Sequence, residues 1–253
     1  MKEMKILVKF PTRGRRERFF NTLDLFYSMA NRPELLEVRV TMDEDDAEMN
    51  HPEVLARLRE YPRLSVYLGT SLSKVHAMNR DVGPLDWDIL ILAADDTVPI
   101  HKGYDDVIRE AMARHHPDTD GVLWFNDGNR DDLNTQVIIG RRCYERFGYL
   151  YHPAYESLYC DKEFTIVGNK MKHQTYSGQV IIRHEHPDYG YDTHDQLYAW
   201  NDQRKYRDMV TFLRRQSMNF GIGSPLANQA SRLFWEVKWF FHRLRRGHLF
   251  MKS

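Results

Sequence analysis

The chain has 253 residues, room for one large domain or for one domain with an appendage. Its 36 basic and 36 acidic residues cancel, which argues against a wholesale polyanion binder and leaves only local patches open. The two cysteines, Cys143 and Cys160, lack Cys-x-x-C spacing, which excludes a disulfide framework and points to a reduced compartment. No apolar run reaches the ~18 residues of a membrane span. Met1-Lys2-Glu3-Met4 leads directly into a strand without the pattern of a signal peptide, so the expected location is cytoplasmic.

Residues 5–10 read as a first buried strand, followed by the loop Pro11-Thr12-Arg13-Gly14-Arg15. Apolar residues at 19, 20, 23, 26, 27 and 30 predict a helix over 16–30, broken by Pro33. Residues 36–42 read as a second strand, ending in Asp43-Glu44-Asp45-Asp46. A short helix over 53–60 stops at Pro62, and 64–68 is a third strand. Helical spacing over 73–82 carries Lys74 and Asn79. The unbroken apolar run 89–94 then reads as a strand buried on both faces, and it ends in Asp95-Asp96-Thr97-Val98-Pro99. A helix over 103–114 follows. This alternation predicts a parallel, doubly wound α/β sheet.

The second half changes character. Strands are predicted over 121–125 and 136–140, with the turn Asn126-Asp127-Gly128-Asn129 between them. Residues 141–147 form a short helix closed by Gly148. A second helix includes Asp161 and Glu163, runs through Val167 and is capped by Gly168-Asn169. Residues 173–182 read as a strand ending in Arg183-His184-Glu185-His186-Pro187. A helix is predicted over 195–214. The tail, 226–250, reads as a separate amphipathic helix with Leu233, Val237, Phe240, Phe241 and Leu244 on one face and Lys238, Arg243, Arg245 and Arg246 making it basic. The resulting organisation is a domain over 1–220, with halves 1–115 and 116–220, followed by the segment 221–253.

Ligands of such sheets sit outside the carboxyl ends of the strands, where strand order reverses. Three loops expected at that edge are Pro11-Thr12-Arg13, residues 43–46, and Asp95-Asp96. Two adjacent carboxylates at a buried strand end are either a solvated turn or a cation site. A divalent cation bound to a diphosphate suits acids at two strand ends, an Arg-Gly loop at a third and His-x-His further on. An imidazole ligand favours manganese over magnesium. The chain contains neither G-x-x-x-x-G-K-[ST] nor a G-x-G-x-x-G after the first strand, which argues against P-loop and dinucleotide sites.

Over roughly residues 5 to 190 the order of these segments resembles GT-A-fold glycosyltransferases, in particular the large inverting family that uses nucleotide-diphospho-sugars. The resemblance rests on Phe10-Pro11-Thr12-Arg13, Asp43, Lys74 with Asn79, Leu92-Ala93-Ala94-Asp95-Asp96-Thr97-Val98-Pro99, Asp161 with Glu163, and His184-Glu185-His186-Pro187. It departs from the family at Ala93, where an acid often stands.

The resemblance implies a GT-A fold with a mainly parallel central sheet, a Mn2+ or Mg2+ cofactor and a nucleotide-diphospho-sugar donor, most commonly a UDP-sugar. It implies that Pro11, Thr12, Arg13, Asp43, Lys74, Asn79 and Asp95 hold the donor. Asp96 is the implied metal ligand, with His184 as a second and His186 as its alternative. Asp161 is the implied general base. Taken alone, Asp161 and Glu163 also read as acids at a helix N-terminus favoured by the helix dipole, and Lys74 as a surface lysine. Trp124 and Tyr159 suit either sugar stacking or core packing.

The acceptor is left open between a glycan, a lipid-linked glycan and a modified nucleic acid. The tail suits peripheral membrane contact, dimerisation or packing on the domain. Rival readings are a sugar-phosphate nucleotidyltransferase, which needs a glycine-rich first loop, and a non-catalytic nucleotide-sugar-binding module, which Ala93 keeps open.

Overall fold

The computed structural model describes residues 3–191 and 203–223. The predicted tail helix over 226–250 and the first part of the helix expected over 195–214 lie outside the described residues. The chain begins β1 (Ile6–Thr12), α1 (Arg16–Ser28), β2 (Leu36–Asp43), α2 (Pro52–Leu58), β3 (Leu64–Gly69), α3 (Lys74–Asn79) and β4 (Ile89–Leu92). It continues with β5 (Thr97–Pro99), α4 (Tyr104–His115), β6 (Val122–Phe125), β7 (Ile138–Gly140), α5 (Arg141–Phe147) and α6 (Cys160–Met171). The last elements are β8 (Gln174–Ser177), β9 (Ile182–His184) and α7 (Lys205–Ser217).

Seven strands form one sheet in the order β3-β2-β1-β4-β7-β6-β8. β1 pairs in parallel with both β2 and β4, so strand order reverses between β2 and β4. β7 is antiparallel to both its neighbours, and β8 is again parallel to β6. Strands from both halves of the chain therefore share one sheet. β5 and β9 form a separate two-stranded ladder.

Two apolar layers cover this sheet. Ile6, Val8, Phe10, Ile89 and Ile91 face a core closed by Phe19, Leu23 and Phe26 of α1 and by Ile108 and Met112 of α4. Leu7, Leu90 and Leu92 face the other way, against Val75 of α3, Cys143 of α5, Cys160 of α6 and Phe212 of α7. Alternate residues of β1 and β4 thus enter opposite cores, as a strand without a solvent face requires. Lys9 is the exception. Its ammonium is buried, donates to the Thr41 hydroxyl, and is pushed down to about 7 chiefly by that burial.

The structure corrects several boundaries. The strand expected over 173–182 is two strands in different sheets, β8 and β9, parted at Gly178. The helix expected to end at Gly168-Asn169 runs on to Met171 and closes at left-handed Lys172 (φ 57°). Gly168 lies inside that helix because Gln174 packs over it: an added Cβ would meet Gln174 Oε1 at 3.0 Å. The helix predicted over 73–82 ends at Asn79, and Arg80 is already extended. α7 passes Arg214 and ends at Ser217.

At Gly140 the backbone of β7 turns into α5 directly against Thr119, and an added Cβ would lie 2.2 Å from the Thr119 carbonyl oxygen. Gly140→Ala is therefore expected to destabilise the fold by about 1–3 kcal/mol, the cost of forcing atoms into a packed site. The urea midpoint checks this, and an unchanged midpoint would contradict the close approach.

Candidate active site

The parallel strands β1 to β4 all deliver their carboxyl ends to the same edge. Pro11 and Thr12 end β1, half-buried, paired with Thr41 and Met42 of β2. Gly14 (φ 61°) and Arg15 (φ 53°) are both left-handed, which turns the loop sharply into α1. Arg13 reaches across to Asp43 at 2.9 Å and to Asp45 at 2.7 Å. Asp46 is committed to the loop backbone, accepting from Gly14 N–H at 2.7 Å. Asp43, with 10% of its side chain exposed, is held from the other side by Arg80 at 3.3 Å. Arg80 also bonds Asp81 at 2.7 Å, Ser71 at 2.9 Å and the Met42 carbonyl at 2.8 Å. Sequence reasoning missed Arg80, whose only local signal is its place just after α3.

The β4 end is a closed turn. The Thr97 hydroxyl accepts from Ala94 N–H at 2.7 Å, and Thr97 N–H donates to the Ala94 carbonyl at 3.1 Å. Ala93 is fully buried in the α1-side core, so the position where the family often has an acid packs among Phe10 and Ile91. Asp95 and Asp96 then diverge. Asp95 faces Arg15 at 3.2 Å and Arg18 at 3.9 Å, and its carbonyl accepts from Thr22 at 2.8 Å. Burial and the neighbouring Asp96 charge raise its carboxyl above the usual range, against the pull of these arginines. Asp96 faces His184 instead, Oδ2 to Nε2 at 3.6 Å.

The β5–β9 ladder creates this second pair. Thr97 lies opposite His184, and Glu185 N–H donates to the Asp96 carbonyl at 2.7 Å. On its far side the His184 ring presents Nδ1 to Asp127 Oδ2 at 3.8 Å. Asp127 does the turn chemistry its sequence suggests, accepting from Asn129 N–H and Arg130 N–H, both at 2.9 Å, and from the Thr135 hydroxyl at 2.7 Å. Its position behind His184 had no sequence signal. Burial works against charge on His184, but the facing carboxylates of Asp127 and Asp96 outweigh it and push the ring up to about 9. The same contacts, with Thr135 and the two backbone donors, overcome burial at Asp127 and hold it down at about 2. The His186 ring packs on His184, centroids 5.4 Å apart.

The remaining predicted residues lie on α3 and α6. Lys74 is exposed at the start of α3, behind its Ser73 cap. The Asn79 amide is bound to backbone: it accepts from Leu150 N–H at 2.8 Å and Tyr151 N–H at 3.1 Å, and donates to the Tyr151 carbonyl at 2.7 Å. Asp161 is half-buried in the first turn of α6, where it accepts from Lys162 N–H at 2.8 Å. Burial raises its carboxyl above the usual range, while the Lys162 amide and the charges of Lys74 and Arg130 oppose that rise. Glu163 is structural, bound by Arg215 through two contacts of 2.7 Å. Trp124 is buried against Tyr176, and Tyr159 packs on Phe212.

Among the described residues no group of three or more His, Cys, Asp and Glu side chains is placed to hold a metal ion, and no helix is long and apolar enough to cross a membrane. Asp96 and His184 offer two donors. Octahedral ligands about 2.1 Å from a cation lie roughly 3.0 Å apart when adjacent and about 4.2 Å apart when opposed. The 3.6 Å between Oδ2 and Nε2 matches neither separation, so the donor types suit a divalent ion but the two side chains would have to close by about 0.6 Å to take adjacent positions on it.

No family model matches the sequence, and no curated protein matches it. Solved structures do. A mannosyltransferase of Pyrobaculum calidifontis, solved with GDP-Man and Mn2+, superposes with a TM-score of 0.66 at 17% identity, over 92% of this chain and 70% of that one. TarS of S. aureus, residues 1–349, superposes with a TM-score of 0.58 at 15% identity, over 90% of this chain and 77% of its own. Its complex with UDP-GlcNAc gives 0.57 at 15% identity, over 90% and 78%. The chain has the GT-A fold. The mainly parallel sheet, expected from the first half of the sequence, is that of this fold, and the acidic strand ends stand at its switch point.

The raised His184 makes a pH prediction for the metal-free protein. Its folded value of about 9 exceeds the ordinary 6.5, so the stability it contributes is complete below 6.5 and lost as pH rises through 9. The stability gap between the wild type and His184→Gln, read from urea unfolding in chelator, is expected to narrow from pH 6.5 to 9. A constant gap would contradict the charged pairing.

Proposed function

We propose that the chain is a metal-dependent, inverting glycosyltransferase that moves a sugar from a nucleotide-diphospho-sugar to an acceptor hydroxyl. The observation that carries this reading is the Asp96–His184 pair at the switch point of the GT-A sheet, beside the loop after β1, whose Arg15 reaches Asp95. The mannosyltransferase neighbour solved with GDP-Man and Mn2+ and the TarS complex with UDP-GlcNAc support a nucleotide-sugar donor and a divalent cation.

Each part has a role that follows from its chemistry. Pro11 and Thr12 line the donor loop, and Arg13 and Arg80 fix Asp43 so that its carboxylate accepts from the base or ribose. Lys74 brings a cation toward the diphosphate. Asp95, gripped by Arg15 and Arg18, shapes the turn beside the donor, and Asn79 fixes the 150–151 backbone to α3. Asp96 and His184 would hold the divalent ion, with Asp127 on the Nδ1 side of the ring and Nε2 turned toward Asp96. Bound there, Mn2+ supplies charge neutralisation for the departing nucleoside diphosphate.

Asp161 takes the proton from the acceptor hydroxyl as that oxygen bonds to the anomeric carbon and the carbon–diphosphate oxygen bond breaks. Its burial makes it a stronger base than an exposed aspartate, while the Lys162 amide and the charges of Lys74 and Arg130 oppose the rise. One displacement from the face opposite the leaving group inverts the anomeric centre. The donor expected from the sequence pattern is a UDP-sugar.

With Mn2+ present, UDP-GlcNAc or GDP-mannose is expected to raise the melting temperature, because a donor stabilises the folded state by mass action. Asp96→Asn should abolish the Mn2+-dependent part of that shift. Asp161→Asn should keep the shift and lose about 10²–10⁴-fold in kcat, measured as release of nucleoside diphosphate. Release of pyrophosphate instead would mark a nucleotidyltransferase, and unchanged turnover in Asp161→Asn would remove Asp161 as the base.

A further inference from the structure

Asp208 lies in the first turn of α7 and is fully buried, with 0% exposure. A buried carboxylate is costly unless hydrogen bonds replace its water. Here three successive backbone amides do so: Glu156 N–H at 3.0 Å, Ser157 N–H at 2.8 Å and Leu158 N–H at 2.8 Å. Consecutive amides aimed at one anion force the backbone into a tight nest, so the carboxylate dictates the path of 156–158.

That segment joins the two sides of the site. The Glu156 carbonyl accepts from Val75 N–H at 3.1 Å, next to Lys74 on α3. Immediately beyond the nest the chain passes through left-handed Tyr159 (φ 62°) into α6, whose second residue is Asp161. α7 also grips the flanks. Arg204 and Arg207 bind the Glu156 carboxylate at 3.2 and 2.5 Å, and Arg215 binds Glu163 of α6 at 2.7 Å. Tyr155, just before the nest, donates to the same Glu163 at 2.6 Å.

We propose that Asp208 is a positioning residue for transfer: through the amides of 156–158 it sets where Asp161 stands relative to Lys74 and the donor. This rests on the reading of Asp161 as the base. A group that only held the fold together would act on stability alone. One that aims the base acts on the chemical step, where a displacement of about 1 Å costs on the order of 10²-fold in rate.

The test uses the full chain and Asp208→Asn, which keeps the shape but turns one acceptor into a donor facing N–H groups. The substrate is whichever of UDP-GlcNAc and GDP-mannose gives the larger thermal shift with Mn2+. The expected result is a donor-induced shift and KM close to wild type, a kcat lower by about 10-fold or more, and a displaced acid limb of the kcat–pH profile. Ile91→Val, a core change elsewhere, should leave that limb in place. Wild-type kcat and limb in Asp208→Asn, with Asp161→Asn inactive, would overturn the positioning role and leave the base standing. Normal turnover in Asp161→Asn would overturn both. Should Asp208→Asn fail to fold, amide exchange in the wild type decides: the amides of 156–158 should exchange as slowly as the middle of α7, and exchange at the rate of exposed loops overturns the clamp.

Discussion

The two-stranded ladder between β5 and β9 is the constraint on which the site depends. It is only three residues on each side, yet it places His184 opposite Thr97 and beside Asp96. Without it, the Asp95-Asp96 turn would be one acidic strand end among several. With it, a carboxylate and an imidazole converge at the switch point of a mainly parallel sheet. Behind the imidazole, Asp127 is held by three hydrogen bonds of its own, so it anchors the ring without needing to move. The fold supplies rigidity, and the ladder supplies convergence.

Electrostatics then sorts the acids at that edge. Asp45 and Asp46 are committed to Arg13 and to loop backbone, and Asp95 to Arg15 and Arg18. Asp96 stands beside a histidine, and Asp161, on α6, is raised by burial with the charges of Lys74 and Arg130 opposing the rise. Burial and neighbouring charge set the balance at each acid: at Asp95 burial and Asp96 outweigh two arginines, and at Asp161 burial outweighs Lys74 and Arg130.

Much of this was legible in the sequence, and the reasons are specific. The run 89–94 reads as a doubly buried strand because it has no polar residue, and in the structure its alternate residues do enter opposite cores. The loops after β1, β2 and β4 could be placed at one edge because parallel strands leave no other choice. β5 was not legible, since three residues ending in proline carry no strand signal, and without it the split of 173–182 into two strands had no cause. Arg15, Arg80 and Asp208 were also missed. Their partners are 80, 37 and 50 residues away in the chain, and no local pattern encodes such pairs. Ala93 read as a weakness of the metal motif. The structure shows a core position, where an acid would be buried among Phe10 and Ile91.

The central claim is that Asp96 and His184 together hold the ion that faces the donor diphosphate. Anomalous diffraction from crystals grown with Mn2+ and a nucleoside diphosphate tests it most directly. The account predicts one manganese peak about 2–2.3 Å from both an Asp96 carboxylate oxygen and His184 Nε2, with phosphate oxygens completing the shell. A peak held by Asp95 or His186 instead, or a diphosphate bound at the strand ends with no manganese beside Asp96, would contradict it.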